Sequence, residues 1–367
     1  MVEWKTVSEV CECNRGVRVI KKDLSESGLY PVFQNSLKPM GYYCRSNFDA
    51  NTPFVITAGA AGDVGSCKEA FWAADDCLCL KCSNIVNNKF VLFFLETKQF
   101  YFKSQVRMGA IPRLSRKVVE SLPIPIPPLS EQNRIVGILD TFTESIENLK
   151  KQISERKKQY EHYRDQLLDL EGKPEKDVKQ FGEICEMIKG NGVQKTDFVD
   201  EGIGCIHYGQ IYTHYGSFTY TTNKFVSKEV FDKAKKASKG DIVMTDTSEN
   251  VEDICKSVAY LGEEDIAVSN HALIIKHRQN PKFLSYTTYT KSFFNQKRKY
   301  AYGVKVTGIK PDHLARFLIY LPSIEEQNHI VTILDTFEAS IANLEQQLSL
   351  RQKQFEYYRN MLLTFDE

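Results

Sequence analysis

The chain has 367 residues, 42% hydrophobic and 26% charged, with 48 lysines and arginines against 47 acidic residues. At roughly 100–200 residues per domain this predicts about two domains, and the balance excludes a disordered or fibrous chain. No run approaches the roughly 20 apolar residues of a membrane span, the opening MVEWKTVSEV lacks the pattern of an export signal, and ten irregularly spaced cysteines read as reduced cytoplasmic thiols.

Residues 1–122 carry 16 basic against 12 acidic residues, and 123–175 carry 8 against 10. Residues 176–317 carry 21 against 17, and 318–367 carry 3 against 8. Basic lobes therefore alternate with acidic segments, a pattern that suits a polyanion touching the lobes. The spacing predicts a first lobe at 1–122, a helical spacer at 123–175, a second lobe at 176–317 and a second spacer at 318–367.

The spacers are copies of each other. EQNRIVGILDTFTESIENLKKQISERKKQYEHYRDQLLDL at 131–170 aligns with EQNHIVTILDTFEASIANLEQQLSLRQKQFEYYRNMLLTF at 326–365, with 24 of 40 positions identical. A weaker echo joins WKTVSEVCECNRG, from Trp4, to VKQFGEICEMIKG, from Val178. Between these anchors the two lobes share almost nothing that aligns.

LPIPIPP at 122–128 cannot be helical, because proline lacks the amide donor and restricts its predecessor, so it is an expected extended lead-in. A helix is predicted after Ser130 and after Ser323, where Ser323 and Glu326 make a capping-box pattern. Ile146, Leu149, Ile153, Tyr160, Tyr163 and Leu167 then alternate at spacings of three and four, apart from one interruption at Arg156. The second copy gives Ile341, Leu344, Leu348, Phe355, Tyr358 and Leu362, interrupted at Arg351. This is a coiled-coil seam. Such a stripe is more often a helix packed on its own domain, but two near-identical copies flanking unlike lobes favour antiparallel pairing with each other. The two arginines either lie solvated at the seam's edge on apolar stems or fix its register. A 25-residue helix from Ser145 to Asp169 spans roughly 37 Å, close to the roughly 34 Å between major-groove faces one turn apart, so two basic lobes held that far apart could read two separated DNA half-sites on one face.

Further motifs lie in the lobes. The first holds LYPVFQNS, GYY, FVITAGAAGDVGS and EAFWAADDCLCL. The second holds IHYGQIYTHYG, KGDIVM and SENVEDICKSVAYLGEEDIAVSNHA. With the duplicated LPIPIPPLSEQNRIVGILD and LPSIEEQNHIVTILD, the chain resembles, over essentially its whole length, the specificity subunit of type I restriction–modification systems. The resemblance implies two α/β (α+β) target recognition domains, joined by two long antiparallel coiled-coil helices in a pseudo-twofold repeat. It implies binding to double-stranded DNA at a split site that is asymmetric because the lobes differ. The implied partners are two methyltransferase subunits and motor-nuclease subunits, with no membrane. No cofactor is expected in this chain; S-adenosylmethionine, ATP and magnesium would bind the partner subunits.

The chain offers few candidates for chemistry of its own. Asn51-Thr52-Pro53-Phe54 resembles the catalytic tetrapeptide of amino-methyltransferases, but a second proline is expected where Thr52 stands. Gly59, Gly62 and Gly65 follow at cofactor-loop spacing, yet the next segment reads as strand and not as the helix a nucleotide loop should open. A self-contained methyltransferase is therefore the weaker alternative. Pro311-Asp312 lacks the acidic-x-lysine of a magnesium nuclease, and no Walker loop occurs. Cys67, Cys77, Cys79 and Cys82 offer four thiolates, but zinc knuckles favour CxxC pairs, and Cys77 and Cys79 read as small buried hydrophobes. No catalytic and no metal-binding residue is expected.

Base reading needs donors and acceptors on loops, and phosphate contacts need lysine, arginine and small polar groups. The first lobe offers Lys38, Tyr42, Arg45, Lys68, Lys103, Gln105, Arg107 and Arg113. The second offers the polar-aromatic run His207, Tyr208, Gln210, Tyr212, Thr213 and His214, with charge from Lys256, Lys297, Arg298, Lys299 and Lys305. Each lysine competes with the plainer reading of a solvated surface residue, and each aromatic with a place in the core. An adaptor whose lobes bind proteins is the alternative outside enzymes. Salt-dependent binding to random duplex DNA separates it from a DNA reader.

Overall fold

In the computed structural model, which describes residues 2–303 and 306–365, the repeat begins in one strand pair. The Pro-rich lead-in is a strand, Pro123–Ile126, paired antiparallel with Glu3–Thr6 so that Trp4 faces Pro125. The same pair recurs as Val178–Gln180 with Leu318–Tyr320, where Val178 faces Tyr320. The prolines are tolerated because each pair is an isolated two-stranded edge.

Contacts divide the chain into two units, Met1–Lys151 with Glu345–Glu367, and Gln152–Leu344. In the first unit Cys11–Arg15, Cys77–Cys82, Phe54–Ile56 and Val64–Gly65 form a four-stranded sheet in that spatial order. A three-stranded sheet places Tyr30–Phe33 between Tyr42–Tyr43 and Trp72–Ala73. The apolar helix Asn88–Thr97, capped by the Asn87 side chain, buries Phe90, Val91 and Phe94 against Leu78 and Leu80.

The second unit holds two five-stranded sheets. One runs Cys185–Lys189, Ala272–His277, Ile242–Thr245, Ser257–Tyr260, Phe218–Thr219. The other runs Phe198–Val199, Lys224–Val226, Ile203–Ile206, Ile266–Val268, Lys236–Ala237. Cys11 pairs with Cys82 and Cys185 with His277, so the leading strands match at an offset of 174 and their partners at 195. The second lobe thus has 21 more residues between these strands, within the stretch that carries its second sheet, five-stranded where the first lobe's is three-stranded.

The spacer helices are Leu129–Leu168 and Ile324–Leu362. The first starts at Leu129, immediately after Pro128, so Ser130 is inside it and not before it. Ser323 does cap the second, its Oγ accepting from the Glu326 amide at 3.3 Å. Within each unit the helix segments meet through equivalent aromatic pairs. Phe142 stacks on Tyr358 at 5.3 Å between centroids in one, and Phe337 on Tyr163 at 5.3 Å in the other. The interrupting arginines have a role here: Arg351 lies 5.5 Å from the Phe142 ring and Arg156 5.8 Å from the Phe337 ring. A guanidinium on a ring face keeps its charge while covering apolar surface.

Ile146, Leu149 and Ile153 are buried, and Tyr160, Leu167, Ile341, Leu344, Leu348 and Phe355 are half-buried. The seam's last layer differs from the spacing. Leu168 and Leu363 are buried in the two lobe cores, while Leu167 and Leu362 only flank them. A 3.6-residue helix drifts about 20° per heptad against a seven-residue repeat, and here the drift turns each helix end towards a lobe core.

Candidate nucleic-acid interface

In the first unit Lys38, Arg45, Gln105, Arg107 and Arg113 are exposed and Tyr42 is half-buried. Lys68 is paired with Glu147, and Lys103 with Asp63 at 2.9 Å. Asn51-Thr52-Pro53-Phe54 leads into the strand Phe54–Ile56, with Asn51 at a φ of 59° and its amide donating to the Cys67 carbonyl at 2.6 Å. Gly59 and Gly62, at φ values of 85° and 90°, turn the loop that joins it to Val64–Gly65. The glycines serve a strand–strand turn. Cys77 and Cys79 are fully buried, and burial pushes the Cys77 thiol up to about 12 and the Cys79 thiol higher still. Neither is a ready thiolate. Among the described residues no group of three His, Cys, Asp or Glu side chains is arranged to hold a metal.

In the second unit the polar-aromatic run is partly turned inward. His207 is buried and caps the helix Tyr208–Thr213, its Nδ1 accepting from the Gly209 amide at 3.2 Å. Burial, with Lys195 and His271 nearby, lowers its pKa to about 4, so at neutral pH it accepts this bond uncharged. The Gln210 Oε1 accepts from the His207 amide at 3.0 Å and its Nε2 donates to Asn223. Thr213 donates to the Gly209 carbonyl at 2.7 Å. Tyr208 and Tyr212 are half-buried, and Thr213 and His214 are exposed. Among the cations, Arg298 and Lys299 are exposed, while Lys256 pairs with Asp253 at 2.7 Å. Lys305 lies outside the described residues.

Lys297 differs from its surface expectation. It is 3% exposed and donates to the carbonyls of Glu252 and Ile254 at 2.9 and 2.8 Å. Its position on the inward face of Lys291–Tyr300 puts it beside Phe293, which that face also buries. It ties a loop down and presents no charge to a ligand. Burial first, then the Lys256 ammonium, lowers its pKa from 10.5 to about 8. Between those values the unfolded chain keeps a proton the folded chain has released, so this residue adds stability as pH rises through that window. Urea unfolding at pH 7.5 and 10 should show wild type gaining on Lys297→Met; a difference independent of pH would show that the amine keeps its proton when buried.

A second constellation, unmarked by the sequence reading, fixes each lobe to its spacer. Gln132 of the EQN motif is fully buried; its Oε1 accepts from the Asn87 amide at 2.8 Å. Its Nε2 donates to the carbonyls of Ile85 and Pro127 at 3.1 and 2.8 Å. Asn87 bonds Asn133 at 2.8 Å, and Lys89 pairs with Asp140 at 2.6 Å. In the second unit Gln327 accepts from the Asn280 amide at 3.0 Å and donates to Gln279 and the Pro322 carbonyl. Asn280 bonds Asn328 at 2.7 Å, and Lys282 pairs with Asp335 at 2.7 Å. The signal was present as Asn-x-Lys-Phe at 87–90 and 280–283.

A model of the type I restriction modification DNA specificity domain matches residues 1–156 and again 174–351. A type I restriction enzyme specificity subunit of Haemophilus influenzae is 27% identical, with 99% of this chain aligned to 96% of that protein. The type I restriction enzyme specificity subunit of Escherichia coli is 29% identical over 76% of this chain and 70% of its own. In fold, the crystal structure of a type I restriction-modification S subunit from M. genitalium superposes with a TM-score of 0.65 at 17% identity, covering 100% of this chain and 97% of that one. Two matched copies, one on each lobe and its following helix, place the chain in the family of type I restriction–modification DNA specificity subunits, whose function is DNA sequence recognition.

Proposed function

We propose that the chain reads a bipartite, asymmetric DNA target, each lobe recognising one half, and docks the methyltransferase subunits that modify it. The observation that carries this reading is the pairing of near-identical spacers with unlike lobes, each pair matched by the same family model. Constant spacers suit a constant protein partner, and variable lobes suit variable bases. Motor-nuclease subunits join the same assembly on this reading, and S-adenosylmethionine, ATP and magnesium belong to those partners. The chain itself catalyses nothing and works in the cytoplasm. Among the described residues no helix is long and apolar enough to cross a membrane.

The test is reconstitution. The isolated chain should bind random duplex DNA with an affinity that falls steeply with salt and transfer no methyl group from S-adenosylmethionine. Adding the methyltransferase partner should produce adenine methylation at a split motif, read by methylation-sensitive sequencing. Salt-independent DNA binding, or methyl transfer by the chain alone, overturns the reading.

A further inference from the structure

Residues 98–117 hold six cations, Lys98, Lys103, Arg107, Arg113, Arg116 and Lys117, and no acidic residue. In a lobe that is otherwise near balance, this is a concentrated positive segment. Its centre is a hairpin. Arg107 and Arg113 pair antiparallel across its neck, each amide donating to the other's carbonyl at 2.8 and 3.1 Å. The neck is fixed to the sheet below, where the Gly59 amide donates to the Pro112 carbonyl at 3.2 Å and the Leu114 amide to Thr57 at 2.9 Å. The second unit bridges Tyr302 to Gly308 at the equivalent offset of 195, so this neck is part of the repeated plan.

The tip of the first hairpin is apolar and stands in solvent. Met108 is 84% exposed and Ile111 55%, with Gly109 and Ala110 between them also exposed. Exposing two such side chains on an anchored turn forgoes the stabilisation their burial would bring. Below the tip, Arg15, Arg113 and Arg116 converge on a cavity of about 310 Å³. Arg15 and Arg116 are held there by the carbonyls of Asp75 and Cys13 at 2.6 and 2.8 Å and by the carboxylates of Asp75 and Glu120, and Asp76 also lines the cavity. Neither Arg107 nor Arg113 is ion-paired through its side chain among the described residues.

We infer that this hairpin is the DNA-gripping element of the first lobe: Arg107 and Arg113 straddle phosphates while Met108 and Ile111 enter the groove and press on bases. The charge chooses the occupant. An apolar tip flanked by two arginines that make no side-chain ion pair among the described residues, in a segment without acidic residues, matches a duplex, in which apolar wedges enter at base steps while arginines hold the backbone. The inference rests on the DNA-reading function proposed above and names the residues that perform it.

The test uses the full chain and a fluorescein-labelled random 30-base-pair duplex, titrated from about 50 to 300 mM salt. Each phosphate contact contributes a slope of about 0.9 in log affinity against log salt. Arg107→Ala/Arg113→Ala should therefore lower the slope by about two, and Arg107→Lys/Arg113→Lys should restore it. Met108→Ser/Ile111→Ser should leave the slope unchanged but cut the preference for the methylation-mapped target over random duplex about tenfold. Circular-dichroism melts confirm that each variant folds. A wild-type slope near zero overturns the DNA-reading function itself. A steep wild-type slope that the double alanine leaves intact overturns only the hairpin's role, as does loss of methyltransferase capture with DNA binding unchanged.

Discussion

Gln132→Leu should cost the first unit about 2–4 kcal/mol, and Gln327→Leu the second unit a similar amount, because each removes one partner of several buried hydrogen bonds. Leucine fills the space of Gln132 but leaves the Asn87 amide and the carbonyls of Ile85 and Pro127 without their present partner. The Asn87 amide opens the helix Asn88–Thr97, whose Phe90 and Phe94 are core residues. Loosening that cap should therefore reach the lobe's interior. Urea unfolding reads the stability loss, and hydrogen exchange should rise at 87–95 in one variant and at 280–288 in the other. On the DNA-reading function, Gln132→Leu should also weaken recognition of one half-target and Gln327→Leu of the other. Equal loss of both halves from either substitution would show that the glutamines serve the chain as a whole.

The local sequence around Gln132 and Gln327 carries no mark of burial. A Gln at the start of a helix, next to Glu and Asn, has the composition of a solvated first turn, and polar residues are mostly exposed. Only the copy at Gln327, with Asn-x-Lys-Phe in both lobes, marks it as buried machinery. Lys297 failed in the opposite direction. It sits in Lys-Arg-Lys, a run that reads as surface charge, but one position of that run faces Phe293 and the core. The spacer helices were legible because 3.6-residue periodicity and duplication agree. The sheets were not: most lobe strands span two to six residues, too few for alternation to fix their order, and pairing between distant strands is set by packing that no local pattern records.

The most decisive expected result is a symmetric target. Replacing Cys11–Ser121 with the chain's own Cys185–Arg316 joins equivalent points of the repeat, since Val7 donates to the Leu122 carbonyl as Phe181 does to Phe317. A chain with two copies of the second lobe should direct methylation to a motif whose two halves are the same, in place of an asymmetric one. The graft keeps the clamp, because Asn280 and Lys282 would meet Gln132, Asn133 and Asp140, the same residue types as Gln327, Asn328 and Asp335. It loses one group of contacts. In its native place Glu338 accepts from Ser217 at 2.7 Å and from Tyr160 at 3.0 Å, whereas the equivalent spacer positions are Thr143 and Phe355. Hydrogen bonds to a charged group contribute about 1.5–3 kcal/mol, so the simple graft should be folded but weakened. Adding Thr143→Glu with Phe355→Tyr should recover the difference in thermal melts and sharpen methylation of the symmetric motif. If the repaired graft still methylates the original asymmetric motif, the first lobe is not the reader of its half. If it folds and binds the methyltransferase but methylates nothing, the lobes are not interchangeable modules.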